Sequence, residues 1–240
     1  MVRVIDGETL LLDDGREVRL IGALSRTPDA TGGNAQTMRA LEELVGGRSI
    51  SFRYEGRRRD RYGRTLAQVY LAGPDGSVWL QQHLISQGHA RAYALPGNSG
   101  CLRALMAAEA EARQARLGLW SSDHYRIRDA ADPGALSRLS GQFALVEGRV
   151  ANVTRTQRTI YINFGSDWRR DFTASVSTYI ADSAADGAAR IAGLSGQTIR
   201  VRGWIERRNG PMIVLGSLDE IEVLSAEDAA NADAKTTGPR

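Results

Sequence analysis

The sequence predicts a mainly β protein with packed helices (α+β), built as a five-stranded barrel of the OB type followed by a second OB-like β-barrel. Short strand-like runs bounded by turn residues recur through most of the 240-residue chain. Apolar residues at helical spacing are restricted to a few segments between those runs. A polar stretch containing Asp132, Pro133 and Gly134 divides the chain into two halves, each long enough to bury its own core.

The first predicted element is a hairpin near the start of the chain. Apolar side chains gather in residues 2–12, a turn signal occupies residues 13–15, and residues 17–21 resume as a second strand. Gly88 and Gly118 each follow a run with helical spacing, which predicts that two helices end there. The other predicted elements of this half are strands at 49–54 and 65–71 and helices at 35–45, 78–87 and 101–117.

The second half has the predicted order strand, strand, strand, helix, strand, strand, which is the order of an OB-type barrel. The strands are predicted at residues 144–154, 159–164, 171–177, 198–206, 212–215 and 220–224, and the helix at 179–192. We therefore predict a first barrel domain over 1–122, a linker over 123–142, a second barrel domain over 143–225 and a disordered tail over 226–240.

The amino-acid composition indicates the charge of the expected partner and excludes a disulfide and a membrane span. The formal net charge is +3, and six arginines fall within residues 53–64, which would suit an anionic partner such as nucleic acid, with a solvated loop as the alternative. The single cysteine, Cys101, excludes an internal disulfide, and no apolar run is long enough for a membrane span, so no membrane partner is expected. The first twenty residues lack the pattern of a secretory signal; localisation and oligomeric state stay open.

Three segments carry a family resemblance. Residues 4–21 read VIDGETLLLDDGREVRLI, residues 60–70 read DRYGRTLAQVY and residues 109–120 read EAEARQARLGLW. In this order and spacing they resemble the staphylococcal nuclease (thermonuclease) family. The resemblance implies an OB-type barrel over 1–122, calcium-dependent cleavage of phosphodiester bonds in DNA or RNA, and a family whose members are often exported.

The resemblance assigns roles to the arginines and tyrosines. Arg19 and Arg64 occupy the positions of the two catalytic arginines that hold the phosphate, a role that suits guanidinium because its planar donors meet two oxygens at once. Arg61 and Tyr62 match positions that hold a terminal phosphate, and Tyr93 matches a nucleotide-contacting tyrosine. The residues alone leave a solvent-facing Arg19 and an Arg64 that only pairs with a nearby acid as alternatives.

The acidic positions of the family are altered. Glu8 stands where the family has its first metal-binding aspartate, and it remains a candidate calcium ligand. Without a gap, the second metal aspartate aligns with Leu24 and the base with Thr27. With two residues inserted, Asp29 aligns with the catalytic base while the metal position becomes Arg26. Neither register restores two acidic ligands, so Ca²⁺ binding is expected to be weak.

Three functions compete on this basis. The first is a phosphate- and nucleic-acid-binding protein in which hydrolysis is weak or lost. The second is an active calcium-dependent endonuclease with an altered ligand set. The third is a protein-interaction scaffold in which the arginines are incidental.

Overall fold

The chain forms two compact units, residues 1–125 and 126–240. The structure, a computed structural model, describes residues 2–25, 33–73 and 76–225. Predicted features at residues 26–32 and the predicted tail at 226–240 lie outside the described residues.

The first unit contains a mixed sheet with three helices packed against it. Its strands are β1 (Arg3–Asp6), β2 (Thr9–Leu11), β3 (Glu17–Leu20), β4 (Ala23–Leu24), β5 (Ile50–Arg53), β6 (Thr65–Gly73), β7 (Gly76–Trp79) and β8 (Arg91–Ala92). Its helices are α1 (Gly33–Val45), α2 (Leu80–Ser86) and α3 (Leu102–Gln114), with short 3-10 turns at Gly118–Ser121 and Asp123–Tyr125.

The main sheet of this unit is open over the described residues, where a closed barrel was predicted. The hydrogen-bonded order is β1-β2-β3-β6-β5, with β7 added beside β6, and only β3 and β6 run parallel. Strand β1 is four residues long and pairs with β2, and no pairing of β1 with β5 is found among the described residues. A separate pair, β4 with β8, carries the segment that follows β3.

The core of the first unit lies between the sheet and the helices. Val18 and Leu20 of β3 are buried there and alternate with more exposed neighbours, as in a half-buried strand. Strand β6 contributes Val69 and Leu71 and is buried on both faces from Thr65 to Val69. Helix α2 ends as predicted before Gly88, whose φ of +71° is the left-handed conformation that favours glycine after a helix. Residues 76–79, partly assigned to that helix from the sequence, form strand β7 instead.

The second unit contains a longer mixed sheet. Its strands are β9 (Arg128–Asp129), β10 (Phe143–Arg149), β11 (Asn152–Arg155), β12 (Thr159–Asn163), β13 (Thr173–Ser177), β14 (Thr198–Arg208), β15 (Gly210–Leu215) and β16 (Ile221–Val223). Its helices are α4 (Pro133–Ser137), α5 (Thr178–Ser183) and α6 (Gly187–Ala192). The order is β11-β12-β13-β15-β14-β10-β9, with β16 beside β14 and with β13 parallel to β15.

Two predicted elements of the second unit are each divided. The strand predicted over 144–154 is interrupted after Arg149, and the helix predicted over 179–192 is two helices because Asp186 between them has a φ of +52°. The range predicted as a linker also has structure of its own. Ala130 and Leu136 within it are buried in the second core, so β9 and α4 pack onto this unit.

Candidate functional site

A tight turn between β1 and β2 presents Glu8. The Asp6 carboxylate accepts a hydrogen bond of 2.8 Å from the backbone N–H of Glu8, which makes Asp6 a turn residue beside Gly7. The backbone C=O of Glu8 accepts from the N–H of Leu20 at 2.8 Å. The turn is therefore held against β3, and the Glu8 side chain is buried at 3% exposure.

The Glu8 carboxylate is bound on both oxygens. Oε2 lies 2.8 Å from Nη2 of Arg19, and Oε1 accepts from the backbone N–H of Ser25 at 2.9 Å and from its hydroxyl at 3.4 Å. Arg19 is itself mostly buried, with a side-chain exposure of 14%. The predicted metal ligand and the first predicted phosphate ligand thus neutralise each other, and Arg19 does not face solvent freely.

Leu24 directly precedes Ser25 in sequence, and its side chain offers no oxygen ligand. Its side chain is buried at 1% exposure, and β4 pairs it with Arg91 of β8. Arg91 is buried too, with its guanidinium 5.1 Å from the centre of the Tyr125 ring. Across residues 2–25, 33–73 and 76–225, no group of three or more His, Cys, Asp or Glu side chains could hold a metal ion.

The second predicted arginine lies at the tip of the hairpin that joins β5 to β6. Arg64 Nε lies 2.7 Å from Asp60 Oδ2, and its backbone N–H donates to Asp60 Oδ1 at 3.0 Å. Burial acts to raise the pKa of Asp60, but the hydrogen bonds from the Arg64 side chain and from the backbone N–H groups of Tyr62 and Arg64 outweigh it. The pKa of Asp60 consequently lies below its ordinary value.

Tyr62, which was predicted to contact a terminal phosphate together with Arg61, lies between Arg61 and Arg64 in sequence and contacts both. Arg61 donates to the Tyr62 hydroxyl at 2.6 Å, and the guanidinium groups of Arg61 and Arg64 lie 4.8 and 5.3 Å from its ring centre. The tyrosine is 67% exposed. Two cations flanking an exposed ring form a surface on which a phosphate and a base can be bound together.

The strand register relates the two arginine groups. Arg19 pairs with Leu66 across the parallel β3 and β6, two residues along the chain from Arg64. A two-residue offset on adjacent strands corresponds to a Cα separation of roughly 8 Å. Tyr93 follows β8, and its backbone N–H donates to Gly22 at 3.0 Å, which associates it with the Leu24 segment.

Two of the predicted site positions fall outside the described residues, and one set of contacts between arginines and aromatic rings was not predicted. Asp29 and Arg26, the candidates of the shifted register, lie outside the described residues. The pairing of Arg53 with Tyr70 and of Arg58 with Tyr54 was not predicted, although the arginine-rich run between two tyrosines was a signal for it.

Cys101 is no competing nucleophile, because burial and a hydrogen bond with Glu55 raise the pKa of its thiol to about 11.

Comparison with known proteins is consistent with this geometry. Residues 32–122 match the family model described as staphylococcal nuclease homologue. A thermonuclease of Staphylococcus intermedius is 34% identical over 127 residues, covering 49% of this chain and 73% of the relative. An uncharacterized endonuclease of Escherichia coli O157:H7 is 35% identical over 124 residues, covering 50% and 75%.

A third relative extends the comparison to Bacillus. The endonuclease YncB of Bacillus subtilis is 30% identical over 133 residues, covering 51% of this chain and 61% of the relative. Each of these alignments spans about half of the chain. Three separate motifs, the ordered pairing of the strands that carry them and relatives matched over most of their length lead to one conclusion: the chain belongs to the staphylococcal nuclease homologue family.

Proposed function

We propose that this chain binds nucleic acid through the hairpin tip formed by Arg61, Tyr62 and Arg64, and that it hydrolyses phosphodiester bonds weakly or not at all. The observation that carries the proposal is the closed ion pair between Glu8 and Arg19. It removes from the site both the acid that would attract calcium and one of the cations that would stabilise the transition state.

The chemistry of the donors supports weak calcium binding. Calcium takes six to eight oxygen ligands and draws most of its affinity from carboxylates. At Glu8 the ion would have to displace a guanidinium at 2.8 Å and an amide N–H at 2.9 Å, both of which complement the carboxylate charge. Leu24 contributes hydrocarbon where a second acid is needed. Asp29, the remaining candidate base, lies outside the described residues.

The strand order supports OB-like architecture for both units at the level of topology. In the second unit, β10 and β11 are consecutive in sequence, yet β10 pairs with β14 and β11 pairs with β12. One interrupted strand therefore pairs with both of its neighbours, as the first strand of an OB barrel does. The parallel pairs β3 with β6 and β13 with β15 fit the same topology. Surfaces of this fold bind oligonucleotides in many unrelated proteins, so the topology is compatible with a nucleic-acid-binding role.

A binding and cleavage assay on the full chain tests the proposal. We expect a labelled single-stranded oligonucleotide to be retained at low salt, with affinity falling steeply as salt rises, and no cleavage that chelator abolishes. Arg64→Ala should weaken binding by roughly tenfold, the value of one charge-assisted contact. Arg39→Ala is the matched control, because it removes one exposed arginine from helix α1.

The endonuclease alternative is favoured by the relatives, which are named as a thermonuclease and as endonucleases. Cleavage that requires calcium and is lost in Arg64→Ala would establish it and overturn our proposal. Failure of the chain to retain any DNA or RNA at low salt would instead favour the scaffold alternative.

A further inference from the structure

The second unit has an exposed loop, residues 164–172, that joins β12 to β13. The backbone N–H groups of Arg170 and Asp171 donate to the C=O of Asp167 at 2.9 and 2.8 Å. The middle of the loop is therefore a tight turn that is held by its own backbone hydrogen bonds. Side chains at such a turn have a defined position before any ligand binds.

Both carboxylates of this loop bind its own backbone. Asp171 Oδ2 accepts from the N–H of Asp167 at 2.8 Å, and Asp167 Oδ1 accepts from the N–H of Arg169 at 3.0 Å. In the part of this unit that the structure describes, neither aspartate forms an ion pair with an arginine. The two acids therefore stabilise the turn and leave its arginines available to an external anion.

The turn presents an aromatic ring and two cations to solvent. Trp168 is 52% exposed, and the guanidinium of Arg169 lies over its ring, 4.6 Å from the ring centre. Arg169 and Arg170 are both exposed, and neither forms an ion pair within residues 126–225. About half of the Trp168 surface remains open beside these charges.

The turn between β14 and β15 lies against this loop. Gly210 is so close to the backbone C=O of Asp171 that any side chain at position 210 would overlap it. Arg207 and Arg208, which precede that glycine, are exposed. Arg208 is neutralised by Glu206 at 3.2 Å, whereas Arg207 forms no ion pair among the described residues of this unit. The β14–β15 turn therefore adds an unpaired cation close to the loop.

We propose that Trp168, Arg169, Arg170 and Arg207, which we call the Trp168 surface, form a second site for single-stranded nucleic acid. A base stacks on the open part of the Trp168 ring, and the guanidinium groups bind the adjoining phosphates. Phosphates alternate with bases along an unpaired strand, and this surface has a group for each. An acidic peptide would supply charge without a base, and a duplex hides its base faces. The site goes beyond the proposed function, which uses only the hairpin tip of the first unit.

The Arg64→Ala variant separates this site from the hairpin tip. The full chain with Arg64→Ala is titrated, by fluorescence anisotropy, with a labelled oligothymidylate of about eight nucleotides, which is within the range of site sizes for single strands. We expect residual binding that Trp168→Ala weakens by roughly fivefold or more, the loss of one stacked base. Trp168→Phe keeps a ring and should retain most of the affinity. Tyr179→Ala is the matched control, because it removes another exposed ring, on helix α5 of the same unit.

The salt dependence and tryptophan emission give independent readouts. Arg170→Ala should reduce the slope of log affinity against log salt by about 0.7, and Arg190→Ala, at an exposed arginine of helix α6, should leave it unchanged. A stacked base quenches the emission of the ring beneath it, so the quenching at saturation should be smaller in Trp168→Phe than in the parent chain. Poly-L-glutamate at equal charge concentration should not displace the oligonucleotide.

The outcomes distinguish the two sites. If Arg64→Ala abolishes binding and Trp168→Ala has no effect in the parent chain, the Trp168 surface is refuted and the hairpin tip stands. If Trp168→Ala weakens binding and Arg64→Ala does not, the proposed function fails and the Trp168 surface stands. Displacement by poly-L-glutamate, or equally tight binding of a duplex of the same length, would overturn the recognition of unpaired bases. A parent chain that binds no oligonucleotide would refute both sites.

Discussion

Glu8 is a buried carboxylate, and its surroundings explain how its charge is tolerated. An ionised carboxylate removed from water needs an opposite charge and hydrogen-bond donors close by. Arg19 provides the charge at 2.8 Å, and Ser25 provides two donors. The buried charge of Glu8 is therefore compensated by the protein's own groups.

Removing one member of this pair should cost more than removing both. Arg19→Met leaves the Glu8 charge buried, and we expect the free energy of unfolding to fall by about 3 kcal/mol. The double variant Arg19→Met with Glu8→Gln keeps an acceptor for Ser25 but has no buried charge, so its loss should be smaller. Urea unfolding of the two single variants and the double variant measures the coupling. Additive losses would contradict a direct ion pair.

At the scale of the elements, helix α2 fixes the position of the segment that bears Leu24 and Ser25. Gln81 of this helix is fully buried and donates to the backbone C=O of Ala67 at 2.8 Å and of Ile21 at 3.4 Å. It also accepts from the N–H of Val69 at 3.0 Å. The Gln81 side-chain amide therefore links strand β6 to Ile21, the first residue after β3.

Gln81→Leu should release this junction. Buried backbone groups of Ala67 and Val69 lose their side-chain partner, and we expect a loss of about 2 kcal/mol in the free energy of unfolding. Amide hydrogen exchange should also become faster at residues 21–25, because that segment is then held by fewer contacts. Gln82→Leu is the matched control. Gln82 is the next residue in sequence and is exposed, so its substitution should leave the free energy of unfolding nearly unchanged. Equal exchange rates in the two variants would refute the role of Gln81.

At the scale of the whole molecule, each unit has its own core and its own buried charges. In the second unit, Arg202 is fully buried and lies 2.7 Å from Glu222, while Arg200 lies 2.8 Å from Glu147. Burial raises the pKa of Glu220 to about 7, although the N–H groups of Gly216 and Ser217 and the charge of Arg202 act in the opposite direction. The two units should therefore respond differently to pH.

The stability of the second unit should fall between about pH 4.5 and pH 7. Glu220 binds its proton more tightly folded than unfolded, so the folded state holds more protons in this interval and is destabilised as pH rises, by at most roughly 3 kcal/mol. Hydrogen exchange of the β14 amides in the full chain, corrected for intrinsic rates, at pH 5 and pH 8 measures the change. Glu220→Gln should flatten the dependence, and Glu206→Gln, at a side chain that is 44% exposed, should not. An unchanged dependence in Glu220→Gln would exclude this carboxyl as its source.

Local patterns predicted the turn at residues 13–15 that joins β2 to β3 and the helix that ends before Gly88, because turns and helix ends depend on residues near one another in sequence. The strand predicted over residues 2–12 is instead divided into β1 and β2. The same patterns did not reveal the division of the strand at 144–154 or the packing of 128–137 on the second unit. Those features follow from burial against residues distant in sequence, such as the core around Leu136.

The family and its arginines could be read from motifs, since each motif is contiguous. Which carboxylate each arginine meets could not. Glu8, Arg19 and Ser25 come from a turn, a strand and the end of another strand, and their contacts depend on the register of β2 with β3 and on the course of the chain after Ile21. Electrostatic pairing depends on distances of a few ångströms between side chains, and such distances exist only once the strands are packed.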